Sequence, residues 1–122
     1  MRDLDLTELD SLVNADAALV HRGRWVNLTF TFGVGDTDYL ITIQQGKIIK
    51  TTQRTLQTVT GRFSIRADAT SWRKHWQKIP QRDYHDIFAM LAKDIVNIDG
   101  DLLPLMQNLQ YFKDLISKNR ES

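Results

Sequence analysis

The sequence predicts an α+β fold, with one mostly antiparallel sheet of about five strands and with helices packed on one face of that sheet. Two observations carry this prediction. Apolar and polar residues alternate without a break from Val26 to Val34, and after Asp68 the apolar residues recur at helical spacing. A length of 122 residues suits one hydrophobic core. We therefore expect a single domain over residues 1–122.

The composition narrows the range of functions. Lys and Arg total 16 against 15 Asp and Glu, so the formal net charge is +1 and no strong field is available to attract a polyanion. Nucleic acid is therefore not an expected partner. Cys is absent, which excludes disulfides and thiolate metal ligands. The N-terminal residues contain no apolar core of signal-peptide length, and no later segment is of membrane-spanning length, so we expect a cytoplasmic protein.

The first half of the chain carries the strand patterns. Apolar residues at helical spacing first predict a short helix over residues 6–20. Alternating segments then predict strands at residues 26–34, 39–44, 48–52 and 62–68. Turn segments containing Gly separate the first three strands, which favours hairpin connections. Residues 53–60 are compatible with either a strand or a loop.

The second half carries helical patterns. Trp72 and Trp76 lie four residues apart, so both indoles should face the same side of a short helix. We expect Thr70 or Ser71 to cap that helix and Pro80 to stop it. A second amphipathic helix begins at about Asp83 and has Tyr84, Ile87, Phe88, Leu91 and Ile95 on its apolar stripe.

The end of the chain is predicted to form an edge strand and a final helix. Residues 95–101 are β-prone before they turn, and Asp101 is placed to cap a helix that runs to about Lys118. The apolar stripe of this helix consists of Leu102, Leu105, Met106, Leu109, Phe112 and Ile116. The helix should therefore lay this stripe on the rest of the core.

Few residues suggest catalysis or metal binding. The three His residues do not have the spacing of metal ligands, so we expect neither a metal nor a cofactor. Tyr84, His85 and Asp86 form a trio of acid–base groups, although neighbouring positions of a helix point about 100° apart. A small enzyme of isomerase or hydratase type, which uses this trio on an apolar substrate, is therefore an alternative.

Several motifs and the order of the elements resemble the sterol carrier protein 2 family, from roughly Leu9 to Ile116. The motifs are Tyr39-Leu40-Ile41-Thr42-Ile43 before Gln45-Gly46-Lys47-Ile48, then Phe63-Ser64-Ile65 leading into Trp72, and Ile98-Asp99-Gly100-Asp101 before the last helix. The resemblance implies a sheet covered by helices, with a hydrophobic tunnel between the two layers for sterols, fatty acids or acyl chains. It also implies a non-catalytic role in binding or transfer.

For such a tunnel, we expect eight apolar residues to line the ligand site. They are Phe32, Trp72, Trp76, Phe88, Leu91, Met106, Leu109 and Phe112. The final helix is the expected movable wall, because a helix shifts more easily than a paired strand. A third alternative is a partner-binding module whose C-terminal helix docks on another protein. A homodimer and transient contact with a membrane surface are also compatible with the sequence.

Overall fold

The computed structural model of the protein describes residues 8–53 and 61–120. In chain order the elements are α1 (Leu9–Asn14), α2 (Ala17–Arg22), β1 (Asn27–Val34), β2 (Thr37–Gln44), β3 (Lys47–Gln53), β4 (Phe63–Ala67), α3 (Ala69–His75), α4 (Ile87–Ala92), β5 (Asn97–Gly100), α5 (Leu103–Gln107) and α6 (Leu109–Ser117). The start of the predicted first helix and residues 54–60 of the undecided linker lie outside the described residues.

The strands form one sheet in the order β3-β2-β1-β4-β5. Strand β1 pairs antiparallel with β2 and parallel with β4, and the β2–β3 and β4–β5 pairings are antiparallel. The sheet is therefore mixed but mostly antiparallel, as predicted from the sequence. The predicted edge strand near the end of the chain is confirmed as β5.

The sheet has one apolar face and one polar face. Residues paired directly across strands point to the same side, so Phe30 lies beside Ile41 and Phe32 beside Ile65 on the apolar face. On the other face Arg66 forms a bidentate pair with Asp38, with N–O distances of 3.2 and 3.1 Å. Aromatic side chains of α3 and α6 contact the apolar face. The predicted packing of helices on one face is therefore confirmed.

The prediction of one helix over residues 6–20 is wrong, because the chain forms two short helices there. The carboxylate of Asp16 accepts a hydrogen bond from the Leu19 N–H at 3.1 Å and caps α2. Asp is among the preferred N-cap residues, and its own backbone at this position is extended. The cap therefore ends α1 and starts α2 even though the apolar spacing continues through both.

The helices of the second half are also shorter than predicted. The helix expected from about Asp83 begins at Ile87, because Asp86 caps it by accepting a hydrogen bond from the Phe88 N–H at 2.7 Å. The final helix is interrupted at Asn108, whose φ of −125° and ψ of 38° are not helical. The interruption separates α5 from α6 and changes which residues face the core.

The change of phase at Asn108 alters the predicted stripe. Helix α6 buries Tyr111, Phe112, Leu115 and Ile116. Met106 on α5 is instead 53% exposed, so the prediction that it lies on one buried stripe with Phe112 and Ile116 is wrong. The reason is that two helices joined by a non-helical residue do not share one face.

Candidate ligand-binding site

Three of the eight predicted site residues form one aromatic cluster between the sheet and α3. The ring centroid of Phe32 lies 4.6 Å from that of Trp72 and 6.1 Å from that of Trp76. The two indoles are stacked with their centroids 5.7 Å apart, which confirms that they face the same way. All three side chains are buried. They therefore form a closely packed layer under the helices.

Each buried indole N–H has a backbone partner. Trp72 Nε1 donates to the Gly33 carbonyl, and Trp76 Nε1 donates to the Ile116 carbonyl, both at 2.8 Å. A buried indole N–H without a partner would be costly, so these bonds fix the orientation of both rings. The first bond joins α3 to the sheet, and the second joins the C-terminal end of α3 to α6.

The other five predicted residues are not in this cluster. Phe112 is buried against Phe30 and Phe63, with ring centroids 5.5 and 5.2 Å away. Phe88 and Leu91 are half-buried on α4, and Leu109 is half-buried at the start of α6. Met106 points outward, as described above. The structure therefore brings together Phe32, Trp72 and Trp76, packs Phe112 in a neighbouring aromatic group and leaves Met106 at the surface.

Two grooves in the described part of the chain lie away from these aromatic groups. One groove of about 560 Å³ lies between α2 and α6, and we call it the α2–α6 groove. Its apolar lining comes from Leu12, Ala18 and Leu19. Ion pairs Arg22–Asp114 and Asp16–Lys118 join the two helices along it. The hydrogen bond from Lys118 and the one from the Leu19 N–H hold the pKa of Asp16 below its usual value.

A second groove, of about 610 Å³, lies where α2 leads into β1 beside the β2–β3 turn. We call it the Trp25 groove, and its lining is Asn14, Ala17, Val20, His21, Arg24, Trp25, Gln45 and Lys47. Trp25 is 79% exposed, and the guanidinium carbon of Arg24 lies 5.6 Å from its ring centroid. Trp25 is not among the eight predicted site residues.

The acid–base trio does not converge on one site. His85 is exposed, and its carbonyl accepts a hydrogen bond from Arg120 at 3.1 Å. Asp86 caps α4 and pairs with Lys113 at 2.8 Å. The ring of Tyr84 lies under Lys74, whose Nζ is 4.9 Å from the ring centroid. The contacts described for these three residues therefore stabilise the local structure and do not form a common site.

His75 is the buried histidine of the described chain. Its Nδ1 lies 2.7 Å from the Tyr84 carbonyl, which can only accept, so Nδ1 carries the proton. Burial is the main cause that lowers the pKa of His75 to about 4, so the ring is neutral at pH 7. Nε2 is buried without a hydrogen-bond partner among the described residues. The buried site therefore favours the neutral form of the His75 ring.

Residues 8–53 and 61–120 contain no group of three or more His, Asp or Glu side chains placed to hold a metal ion. None of their helices has the length and apolar character required to cross a bilayer.

A mixed five-stranded sheet, covered on its apolar face by short helices with an aromatic layer between, defines the fold of the chain. Sterol carrier protein 2 has this fold: its crystal structure matches with a TM-score of 0.73 and 14% identity, over 93% of this chain and 91% of the other. The sterol carrier protein domain 2 of Helicoverpa armigera matches with a TM-score of 0.63 and 14% identity, over 96% and 88% of the two chains.

A ubiquinone synthesis protein, UbiJ-SCP2, matches with a TM-score of 0.58 and 16% identity, over 89% of this chain and 82% of the other. No protein-family model and no curated protein matches the chain. At these identities the likeness establishes the fold. The resemblance to sterol carrier protein 2 found in the sequence is therefore confirmed at the level of structure.

Proposed function

We propose that the protein binds and transfers a hydrophobic ligand, such as a sterol, a fatty acid or a fatty acyl chain, in the cytoplasm and without catalysing a reaction. The observation that supports this most is the aromatic layer of Phe32, Trp72 and Trp76 between the sheet and the helices, in a fold shared with sterol carrier protein 2. Apolar surface at this position offers a ligand a water-free environment.

The layer is closely packed, so a ligand has to displace part of the cover. Transfer of an alkyl chain out of water contributes about 0.8 kcal/mol per methylene, or roughly 6 kcal/mol for eight carbons. That gain can offset the loss of contacts when one short helix moves. The sheet is the less suitable wall to move, because each of its central strands is hydrogen-bonded on both sides.

We propose that the α5–α6 segment is the wall that moves, with Asn108 as the hinge. If the segment straightened into one helix, Met106, Leu109 and Phe112 would lie on neighbouring parts of one face, as their spacing of three residues requires. Met106, now exposed, would then lie over the ligand. The non-helical backbone of Asn108 is the present break between the two helices.

Tryptophan emission tests the binding proposal once the exposed indole is removed. In Trp25→Phe protein the remaining emission comes from the buried Trp72 and Trp76. Titration with a fatty acid, a sterol or a fatty acyl-CoA should change that emission and raise the Tm. At a ligand concentration of 100 times Kd, the free energy of unfolding should increase by about 2.7 kcal/mol. No change in either signal with all three ligand classes would overturn the proposal.

The hinge proposal has a sharper test in Met106→Ser. Because Met106 is 53% exposed, the free energy of unfolding should change by less than about 0.5 kcal/mol. Because Met106 is proposed to cover the bound ligand, the affinity should fall about tenfold. Ile79→Ser is the matched control, since Ile79 is 84% exposed and is not among the proposed site residues. Equal affinities for the two variants would reject Asn108 as the hinge while leaving binding itself intact.

A further inference from the structure

The two edges of the sheet differ in how their outward backbone groups are satisfied. Strands β3 and β5 are the edge strands. At β3, the side-chain amide of Asn14 donates to the Ile48 carbonyl and accepts from the Ile48 N–H, both at 2.9 Å. The hydroxyl of Thr51 donates to the carboxylate of Asp10 at 2.7 Å. Helix α1 therefore covers the β3 edge and occupies backbone groups that a further strand would need.

The β5 edge presents outward backbone groups without such a cover. The N–H of Asp101 donates to the Arg62 carbonyl at 2.9 Å, so the backbone groups of Asp101 point toward β4. Because these groups alternate in direction along a strand, those of Asp99 also point toward β4 and those of Ile98 point away from it. Among the described residues the outward N–H and carbonyl of Ile98 have no hydrogen-bond partner. Three of the four residues of β5 are exposed.

The two sides of β5 differ in chemistry. Asp99 is paired with Ser64 on the polar face of the sheet, where its exposed carboxylate makes no ion pair with a described residue. A hollow of about 210 Å³, lined in part by Ser64 and Thr31, lies beside it. Ile98 is paired with Ile65 and is half-buried against the core on the apolar face. An added strand would therefore meet a negative charge on one side and apolar surface on the other.

The hollow also contains a cation, but its charge is already balanced. Arg66 lines the hollow, and its guanidinium forms the bidentate pair with Asp38 and donates to the Ser64 hydroxyl at 2.9 Å. At the end of the strand, the Asp101 carboxylate lies 3.8 Å from Arg62, and both side chains are more than half exposed. The unpaired charge beside the β5 edge is therefore that of Asp99.

We infer that the β5 edge is a docking site for an extended segment of a partner protein, with Lys or Arg at alternate positions and apolar residues between them. Such a segment would pair antiparallel with β5 as a sixth strand and form main-chain hydrogen bonds with Ile98. Its cations would lie beside Asp99, and its apolar side chains beside Ile98. Charge favours this occupant over a second copy of the chain, because a second β5 would add carboxylates to a face that is already negative.

Titration of isotope-labelled protein with short peptides, followed by NMR, tests the inference. The peptide acetyl-Lys-Val-Lys-Val-Lys-amide should shift the amide resonances of β5 and slow hydrogen exchange at Ile98, whose N–H gains an acceptor. The matched peptide acetyl-Glu-Val-Glu-Val-Glu-amide should bind at least about tenfold more weakly, because its charges repel Asp99.

Methylated peptides separate strand pairing from simple charge attraction. With Val opposite Ile98, the Val N–H groups face β5 and the Lys N–H groups face away. N-methylation of both Val residues keeps every charge but removes these donors, so binding should weaken at least about tenfold. N-methylation of the central Lys is the control and should leave the affinity unchanged.

Protein variants locate the site. Asp99→Asn removes the charge and keeps the size of the side chain, so the Lys peptide should bind about threefold more weakly. Asp36→Asn alters an exposed carboxylate in the β1–β2 turn and should bind like the wild type. Ile98→Pro removes the outward N–H at an edge position and should also weaken binding. Circular dichroism checks that this variant is folded, and the Val-methylated peptide probes the same hydrogen bonds on the wild type.

Four results would overturn the inference. They are equal affinity for the Lys and Glu peptides, unchanged affinity after methylation of Val, resonance shifts confined to residues outside β4 and β5, and self-association that slows exchange at Ile98 without peptide. The inference goes beyond ligand binding, since no residue of β5 belongs to the proposed ligand site. Asp99→Asn should therefore bind fatty acid like the wild type, and this titration measures the proposed function separately.

Discussion

Tyr111 shows how a single side chain holds the C-terminal helix against the sheet. Its hydroxyl donates to the Gly46 carbonyl, and burial raises the pKa of the phenol, so the group stays a donor at all ordinary pH values. Its ring lies so close to Gly23 that a Cβ at that position would collide with it. Gly23 is therefore required by the close approach of the ring, since its φ of −96° is open to any residue.

His75 makes stability depend on pH. Its pKa is about 4 in the folded protein against 6.5 for the free side chain, so between these values the unfolded chain binds more protons. This contribution to the free energy of unfolding is complete above pH 6.5 and should fall by about 1.4 kcal/mol per pH unit below it, until pH 4. Urea denaturation at intervals from pH 7 to pH 4 measures the slope.

A pair of histidine variants assigns that slope. His75→Asn, whose amide nitrogen occupies the place of Nδ1 and can still donate to the Tyr84 carbonyl, should flatten the dependence between pH 6.5 and 4. His85→Gln alters an exposed ring and should leave the dependence unchanged. If the His75 variant kept the full slope, burial of the neutral ring would not be its cause.

At the scale of elements, Asp86 joins two helices. Burial raises the pKa of Asp86, but hydrogen bonds from Lys113 and from the Phe88 N–H outweigh this, and the pKa lies below its usual value. Asp86→Ala removes the cap of α4 and the contact with α6, and should lower the free energy of unfolding by about 1–2 kcal/mol. Asp86→Asn keeps a capping oxygen and should lose about half as much. Equal losses in denaturant titrations of the two variants would contradict the capping role.

Elements with strong local signals were predictable from the sequence, and their ends were not. The strict alternation around Phe30 and Phe32 fixed both the strand and its buried face, because a strand has only two sides. The two helices of residues 9–22 and the break at Asn108 depend on caps and on tertiary contacts. Apolar spacing continues across both breaks, so periodicity alone predicts one helix where the chain forms two.

At the scale of the whole molecule, the candidate site was only partly predictable. The stacking of Trp72 on Trp76 follows from a spacing of four residues, and contact with Phe32 follows from a helix laid on an apolar sheet face. The positions of Met106 and Trp25 do not follow from spacing. Both depend on how the chain crosses the end of the sheet at which β1 begins. Long-range contacts such as that of Tyr111 with Gly46 set this crossing.

The proposed moving wall predicts where the folded protein opens first. Helix α5 has five residues, and the side-chain cap at its start is the long hydrogen bond of 3.3 Å from the Leu103 N–H to the Asp101 carboxylate, whereas β1 is paired on both sides. Short elements of this kind open at little free-energy cost, so the amides of Leu103 and of residues 105–107 should exchange with solvent at least about 100-fold faster than those of the centre of β1. Hydrogen exchange followed by mass spectrometry or NMR measures both. Saturating fatty acid should slow exchange in α5 and α6 and leave exchange in β1 unchanged. The reason is that a straightened helix packed on a ligand costs more free energy to unfold locally. Slowing confined to β2 and β3 would instead place the movable wall at the β3 edge of the sheet.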